Sequence, residues 1–335
     1  MWKTGTKIII YILARVEEQG LKKGLINDIY MQPIIPSLLK PGDRISVIAP
    51  SGVVKESRIE KGILLLEAWG LEVERGRHLY CSNGLFAGND EERLNDLQLA
   101  LDDESVKAVF CARGGYGLSR IIDRLDPAGF LLAPKWIIGY SDITVLHLWF
   151  NSLYGTATVH GEMVSNFNID SRSPESLDSL YRLLFRGEGD YTWKSENFRD
   201  GKVSSLIAGG NLSLIANLTG THVREWLAGK ILFIEDTGEY LYRIDRMLMD
   251  LRLSGILENI SGLVVGGLSG MTDPDIPFGI GIEEMIMDAV SDYRYPVAFN
   301  FPAGHINDNR AFYLGVEITL KVDSGEISIV QGLSD

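Results

Sequence analysis

The chain has 335 residues and a formal net charge of −13, with 45% hydrophobic and 23% charged residues. This composition is typical of a globular protein large enough for two domains, each with its own core. The acidic excess argues against nucleic acid and anionic membranes as partners, although it leaves room for a local basic pocket that binds a carboxylate. Cys81 and Cys111 form no metal-type or Cys-x-x-Cys spacing, which argues against zinc and disulfides and favours a reducing cytoplasm.

The first residues share only a short apolar run with secretory leaders. This run, at 7–14, is followed by Arg15-Val16-Glu17-Glu18 and not by a small-residue cleavage site. No stretch reaches the roughly 18 apolar residues that a membrane-spanning helix needs. We expect residues 1–37 to be an extension outside the fold, and our hypothesis is that residues 1–30 lie beyond the folded domain and that Met31 is the start of translation.

From Arg44 onward, apolar runs alternate with helical patterns. The helix expected at 89–101 begins with Asn89 and has Glu92 three residues later, which is the capping-box spacing. This alternation predicts an α/β domain with a mostly parallel, doubly wound sheet, and ligands bind such sheets at the carboxyl ends of strands. The pattern predicts strands at 44–49, 71–73, 107–112, 135–139 and 156–160, and helices at 55–69, at 89–101, after Gly117 and after Ser141.

The second half of the chain has a different pattern. Residues 166–200 are rich in Ser, Asn, Asp and Gly, and we expect them to link a nucleophile domain at 38–165 to a C-terminal domain at 201–335. The later apolar runs have helical segments between several of them, which predicts a second, smaller α/β domain. These runs lie at 203–208, 231–234, 263–265, 297–299 and 316–320.

Ser141 follows the apolar run that ends at Gly139, and helical spacing begins again at Val145. A serine at such a strand-to-helix turn has an exposed hydroxyl with free backbone N–H groups nearby, as a nucleophile requires. The same residues also fit an ordinary N-cap, because Ser-Asp is a favoured helix opening. From this stretch alone, the cap is the simpler interpretation.

The glycine-rich segment from Arg113 to Gly117 follows the predicted strand at 107–112. In one interpretation, the backbone N–H of Gly115 forms half of an oxyanion hole, and the N–H of Asp142 completes it. A dinucleotide-binding loop is a weaker interpretation, because Arg120 stands where the third glycine is needed. A plain tight turn is the commonest use of such glycines.

A serine nucleophile needs a general base, and the chain has five histidines. His147 lies on an apolar helical pattern, while His78 and His222 lie in charged or polar segments. His160 ends a strand at the expected active edge, and His305 lies in a polar loop. These last two are the candidates.

A third residue, a carboxylate, would orient the histidine. Glu235 and Asp236 end the strand at 231–234, and adjacent strand residues point to opposite faces, so at most one should reach the histidine. The order Ser141, Glu235, His305 matches the order nucleophile, acid, histidine of α/β hydrolases.

At these residues the chain resembles the LD-carboxypeptidases of peptidase family S66, which also include the microcin C immunity proteins. The resemblance covers about residues 40–320. Each motif alone is weak evidence, whereas their common order across two domains is specific. The motifs are Gly42-Asp43-Arg44 with Ile48-Ala49-Pro50-Ser51, Phe86-Ala87-Gly88, Arg113-Gly114-Gly115-Tyr116-Gly117, Gly139-Tyr140-Ser141-Asp142, Gly209-Gly210-Asn211-Leu212, Ile234-Glu235-Asp236, Tyr242-Arg243 with Arg246, and Gly304-His305.

The resemblance implies that Ser141 is the nucleophile, Glu235 the acid and His305 the histidine of a catalytic triad. It further implies an N-terminal domain like that of class I glutamine amidotransferases and a smaller, swivelling C-terminal domain. The usual family member is a homodimer, and neither a metal nor an organic cofactor takes part.

The expected function is that of a cytoplasmic serine carboxypeptidase that removes the terminal D-alanine from murein tetrapeptide in cell-wall recycling. Arg113 and Arg243 are candidates for binding the substrate carboxylate, and Tyr116 is a further substrate-binding candidate. The alternatives are a microcin-type immunity hydrolase that cleaves aminoacyl-nucleotide analogues, and a non-catalytic α/β ligand-binding module. Tyr116-Gly117 looks more like the murein branch.

One departure from the family pattern follows His160-Gly161. Glu162 stands where many members have proline. We expect this difference to affect substrate detail more than chemistry.

Overall fold

The computed structural model describes residues 33–167, 172–273 and 275–331. The expectations for residues 1–30 and for Met31 therefore concern residues outside the described part. The backbone of Ile34 is hydrogen-bonded to Gly155 and Ala157. The last residues of the expected extension at 1–37 thus belong to the fold, which corrects that boundary.

The first sheet has six strands. Three of its parallel strands have side chains buried on both faces, as is typical of strands that helices cover on either side. The strands are β1 (Arg44–Ile48), β2 (Glu72–Arg75), β3 (Val106–Cys111), β4 (Trp136–Gly139), β5 (Thr158–His160) and β12 (Phe312–Leu314). Their order is β12-β5-β4-β3-β1-β2, and all neighbours are parallel except β12 and β5. The mostly parallel first sheet is therefore confirmed.

The helices of the first half begin where local signals predict them, with one exception. Asn89 accepts a hydrogen bond from the N–H of Glu92 at 3.0 Å and donates its own N–H to the Glu92 carboxylate at 2.8 Å, so the capping box is confirmed. The helix predicted after Gly117 is wrong, since this segment forms two short 3₁₀ turns. The helices are α1 (Glu56–Ala68), α2 (Asp90–Asp102), α3 (Ala128–Leu132), α4 (Thr144–Tyr154) and α5 (Pro174–Arg186).

The second sheet has eight strands and is the larger of the two by strand count. Its strands are β6 (Tyr191–Lys194), β7 (Phe198–Arg199), β8 (Gly201–Asn211), β9 (Ile231–Thr237), β10 (Gly262–Ser269), β11 (Val297–Ala298), β13 (Glu317–Asp323) and β14 (Glu326–Gln331). The order is β6-β14-β13-β8-β9-β10-β11-β7, with β8 to β11 parallel and the other pairs antiparallel. Its helices are α6 (Leu212–Asn217), α7 (Val223–Trp226), α8 (Leu241–Leu253), α9 (Ile256–Asn259) and α10 (Ile282–Ala289).

The two sheets share one apolar core. The ring of Phe233 on β9 lies 5.0 Å from that of Phe312 on β12, the strand that returns to the first sheet. The expected linker at 166–200 contains α5 and β6, so it is itself part of the packed fold. The described residues thus form a mixed α/β fold with two sheets. Within the described residues, every helix is too short or too polar to cross a membrane.

Candidate active site

Ser141 lies in a turn between β4 and α4. Its φ is +66°, a left-handed conformation that costs a non-glycine residue about 1–3 kcal/mol and is concentrated at functional sites. A 3₁₀ turn at Ser141–Ile143 precedes α4, and Tyr140 and Ile143 hold the two N-cap positions without side-chain capping bonds. The N-cap interpretation of Ser141 is therefore wrong.

The glycine-rich segment packs directly on this serine. A Cβ atom at Gly114 would lie 2.8 Å from Cβ and 3.0 Å from Oγ of Ser141, so no side chain fits there. The carbonyl of Gly114 accepts a hydrogen bond from the N–H of Gly52 at 3.0 Å, which fixes the loop against β1. Gly115, the predicted oxyanion donor, is the next residue and also packs against Gly52.

Asp142 anchors the turn from behind. Its buried carboxylate accepts hydrogen bonds from Oγ of Ser51 at 2.6 Å and from the N–H of Leu118 at 3.0 Å. Burial raises the pKa of Asp142, and these two donors partly oppose that effect. Leu118 is the first residue of the segment after Gly117, where a helix was predicted, and its N–H is the donor to Asp142. The side chain of Asp142 therefore holds three loops of the first sheet together, while its backbone N–H remains the predicted oxyanion donor.

His305 and Glu235 form a direct pair. Nδ1 of His305 lies 2.7 Å from Oε2 of Glu235, and the backbone N–H of His305 donates to the same oxygen at 3.1 Å. Burial opposes the charged imidazole, but the hydrogen bond and charge of Glu235 outweigh it and raise the pKa of His305. Because the carboxylate accepts at Nδ1, the hydrogen lies there and Nε2 is the basic nitrogen.

The loop that carries His305 approaches β9 closely. Gly304 has φ +110°, and a Cβ there would lie 2.7 Å from the side chain of Glu235, so only glycine fits. Oγ of Ser269 donates to the carbonyl of His305 at 2.6 Å. Asp236 points the opposite way and accepts a hydrogen bond from Nδ2 of Asn211 at 2.9 Å. Glu235 and Asp236 therefore point to opposite faces of the strand, as their adjacent positions predict.

Contacts between the two sheets bring the serine turn to the histidine. The rings of Tyr140 and His305 meet edge to face with their centres 4.9 Å apart, and Ser141 is the residue after Tyr140. One turn further on, Oγ1 of Thr144 accepts a hydrogen bond from the N–H of Asn211 at 2.9 Å. Asn211 is the register partner of Glu235 in the second sheet. Ser141, Glu235 and His305 therefore lie in one contiguous region.

His160, the other candidate base, is excluded by its surroundings. It is fully buried, and its Nε2 lies 3.1 Å from Oδ1 of Asn309, an oxygen that also accepts the N–H of Gly304 at 2.7 Å. Burial lowers the pKa of His160 to about 3, so the ring is a neutral donor in the core. These surroundings argue against His160 as a general base, and the catalytic role of His305 stays a prediction.

The three substrate-binding candidates all lie on the surface, and their role stays a prediction. The guanidinium of Arg113 donates to the carbonyl of Val53 at 2.6 Å. Arg243 pairs with Glu239 at 3.3 Å. Tyr116 is 47% exposed.

Sequence reasoning did not single out five residues next to the site. Gly114 and Tyr140 stood inside quoted motifs, and Glu162 was noted only as a departure. Asn309 and Arg172 had no local signal, because their roles depend on partners far away in the sequence.

A serine in a strained turn after a parallel strand, beside a histidine–carboxylate pair, is the arrangement typical of α/β serine hydrolases. Comparisons with known proteins agree. Residues 45–161 match the LD-carboxypeptidase N-terminal domain, and residues 204–320 match the LD-carboxypeptidase C-terminal domain. The chain belongs to the LD-carboxypeptidase family.

Individual relatives span nearly the whole chain. A probable murein peptide carboxypeptidase of Bacillus subtilis is 34% identical over 90% of this chain and 95% of its own length. The crystal structure of muramoyltetrapeptide carboxypeptidase from Oxalobacter formigenes is 31% identical, covers 85% of this chain and 97% of that one, and superposes with a TM-score of 0.76. The microcin C7 self-immunity protein MccF of Escherichia coli is 24% identical over 90% of this chain and 97% of its length. A solved MccF structure, with a TM-score of 0.79 at 21% identity, shares the fold.

Proposed function

We propose that the protein is a serine LD-carboxypeptidase that removes the terminal D-alanine from murein tetrapeptide. The observation that carries the proposal is the hydrogen-bonded pair of Glu235 and His305 beside the strained turn of Ser141. The names of the relatives from Bacillus subtilis and Oxalobacter formigenes support the murein substrate.

In the first step, Nε2 of His305 takes the proton of Ser141 as Oγ attacks the carbonyl carbon of the scissile bond. Glu235 keeps the imidazole in the tautomer that has a free Nε2 and stabilises its charged form. The backbone N–H groups of Asp142 and Gly115 hold the oxyanion. A donor of this type typically contributes about 2.7–4 kcal/mol to lowering the barrier.

In the second step, the tetrahedral intermediate collapses and Nε2–H of His305 protonates the departing amine of D-alanine. Water then attacks the acyl-enzyme, with His305 again as the base, and releases the shortened peptide. The free carboxylate of the substrate pairs with Arg113 or Arg243 at the rim, and Tyr116 contacts the peptide.

The proposal includes a cytoplasmic location and a homodimer. Two unpaired cysteines fit a reducing compartment, where recycled murein peptides are processed. Sedimentation equilibrium of the purified chain tests the dimer, and a single species at 37.2 kDa would contradict it.

The decisive experiment measures D-alanine release from purified murein tetrapeptide, with the epimer that ends in L-alanine as the control substrate. We expect release from the D epimer alone, and none by Ser141→Ala. If the wild type is inert towards the tetrapeptide but cleaves aminoacyl-nucleotide amides, the microcin-type activity replaces the murein one. Tight binding without turnover of either substrate would favour the ligand-binding module.

A further inference from the structure

Glu162 is a buried carboxylate directly after β5 and is only 1% exposed. It accepts a hydrogen bond from Nδ2 of Asn166 at 2.9 Å and pairs with Nη1 of Arg172 at 3.3 Å. Burial raises its pKa, while Arg172 and Asn166 oppose the rise. A buried carboxylate is costly unless it is paired, so its presence here needs a reason.

Both partners of Glu162 also hold the hydroxyl group of Tyr140. Nη2 of Arg172 and Nδ2 of Asn166 each donate to Tyr140 Oη at 2.8 Å. Arg172 additionally donates through Nη1 to the carbonyl of Ile306. One guanidinium therefore connects Glu162, Tyr140 and Ile306, and its side chain is only 16% exposed.

These contacts enclose His305. The ring of Tyr140 lies edge to face against the imidazole of His305. Ile306 is the residue that follows His305 in the chain. A guanidinium fork that holds both of them fixes the ring from one side and the backbone from the other. Glu162 holds the fork in turn.

We propose that Glu162 and Arg172 form a positioning pair for His305, in which Arg172 fixes the imidazole through Tyr140 and Ile306 and Glu162 neutralises the charge of Arg172. The pair touches no reacting atom. This inference rests on the proposed function, because it takes His305 as the general base.

The charges around His305 give the pair a measurable signature. Glu235 and Asp236 from β9 raise its pKa and Arg172 lowers it, and Glu162 attracts its charged form, while Tyr140 and the buried His160 face it as neutral rings. An ionised Glu162 opposes this effect of Arg172. Glu162→Gln keeps the shape but leaves Arg172 uncompensated, so the pKa of His305 falls.

The experiment compares Glu162→Gln, Arg172→Met and the double variant, with Glu175→Gln on the exposed start of α5 as the control. The pKa of His305 is read by NMR titration of its ring, which needs no substrate, and the pH profile of kcat/KM for D-alanine release is read in parallel. A wild type without turnover would defeat the proposed function, while the NMR titration would still test the pair.

For Glu162→Gln we expect the pKa of His305 and the acid limb of kcat/KM to move down by about half a unit. The double variant should reverse most of this shift because the uncompensated cation is gone, and only the direct attraction between Glu162 and His305 stays lost. All three variants should lose about tenfold or more in kcat from the looser ring, while Glu175→Gln should match the wild type. A pKa unchanged in Glu162→Gln, or a shift that persists in full in the double variant, would overturn the inference.

Arg172→Lys tests the same pair if Glu162→Gln does not fold. Lysine keeps the charge but cannot reach Tyr140, Ile306 and Glu162 together. We expect the pKa of His305 to stay in place while kcat falls about tenfold. A kcat within twofold of the wild type would refute the positioning role.

Discussion

The two sides of the candidate site are held in place by different kinds of contact. On the serine side, close packing of the backbone dominates, with Gly114 directly on Ser141 and its carbonyl bonded to Gly52, and the carboxylate of Asp142 adds a side-chain anchor. On the histidine side, side chains from distant segments converge on one ring. Glu235 binds His305 at Nδ1, and Tyr140 packs against it.

This difference predicts which kind of substitution disrupts each side of the site. A close-packed backbone turn has no room for added atoms, so the serine side is sensitive to small increases in volume. A ring held by hydrogen bonds and charge is sensitive to lost polar groups and to pH. The following substitutions are chosen to separate these two kinds of sensitivity.

The largest effect should come from the nucleophile and the base. Ser141→Ala and His305→Ala should each lower kcat for D-alanine release by at least about 10⁴-fold, and the double variant should lose hardly more, because the two groups act as a unit. Losses that add in the double variant would contradict a shared mechanism. His222→Gln, which alters a histidine bonded to Ser152, serves as the control and should keep activity within about threefold.

The same serine allows a test of strain. Because Ser141 has φ +66°, Ser141→Gly should be inactive yet about 1 kcal/mol more stable than Ser141→Ala, which keeps the strained backbone without the hydroxyl. Urea unfolding of the two inactive proteins measures this difference. Equal midpoints would show that the turn is unstrained.

The second largest effect concerns the charge of Glu235. In Glu235→Gln the imidazole loses the group that raises its pKa, so the acid limb of kcat/KM should move to lower pH. The plateau should still fall by about 10³-fold, since the amide no longer fixes the tautomer. Glu258→Gln, on the exposed end of α9, should leave the profile unchanged. An acid limb that stays in place would show that another residue is the base.

The third prediction adds one methyl group on the serine side. Gly114→Ala would place Cβ 2.8 Å from Cβ and 3.0 Å from Oγ of Ser141, so the nucleophile must move. We expect kcat/KM to fall about 10²-fold, with a stability cost of about 1–3 kcal/mol. Gly220→Ala, where a new Cβ meets nothing within 4 Å, is the matched control. Full activity in Gly114→Ala would refute the close packing of this turn.

The sequence predicts the parts of the molecule that local signals define. The alternation of strands and helices, the capping box at Asn89 and the opposite directions of Glu235 and Asp236 all follow from spacing along a few residues. The turn at Ser141 follows from an apolar strand that ends at Gly139 and a helical pattern that begins again at Val145.

Long-range contacts account for what the sequence could not predict. The segment after Gly117 forms two 3₁₀ turns, and the N–H of its first residue, Leu118, binds Asp142, which lies 24 residues away. Burial of His160 depends on β12, a strand 152 residues later that pairs with β5. The role of Arg172 likewise depends on Tyr140 and Ile306, which lie 32 and 134 residues away in the sequence. In each case the partner, and not the local pattern, decides the role.

The smallest effects should come from two serines that tether the two sides. Oγ of the fully buried Ser51 donates to Asp142, and Oγ of the partly buried Ser269 donates to the carbonyl of His305, each at 2.6 Å. Ser51→Ala removes a hydrogen-bond donor from a buried carboxylate and should lower the free energy of unfolding by about 1–3 kcal/mol. Ser269→Ala should lower it by only about 0.5–1.5 kcal/mol. Urea unfolding measures both costs.

The activities of the same two variants should show the reverse order. Loss of the Ser269 tether frees the carbonyl of the base itself, so kcat should fall several-fold, while Ser51→Ala acts on Ser141 only through the well-packed turn and should change kcat less. Ser204→Ala, which removes an exposed hydroxyl bonded to Thr319, is the control. It should change the free energy of unfolding by no more than about 0.5 kcal/mol and kcat by no more than about twofold. If Ser51→Ala lost more activity than Ser269→Ala, the serine turn would depend on side-chain tethers as much as the histidine does. The contrast between a backbone-packed nucleophile and a side-chain-held base would then be untenable.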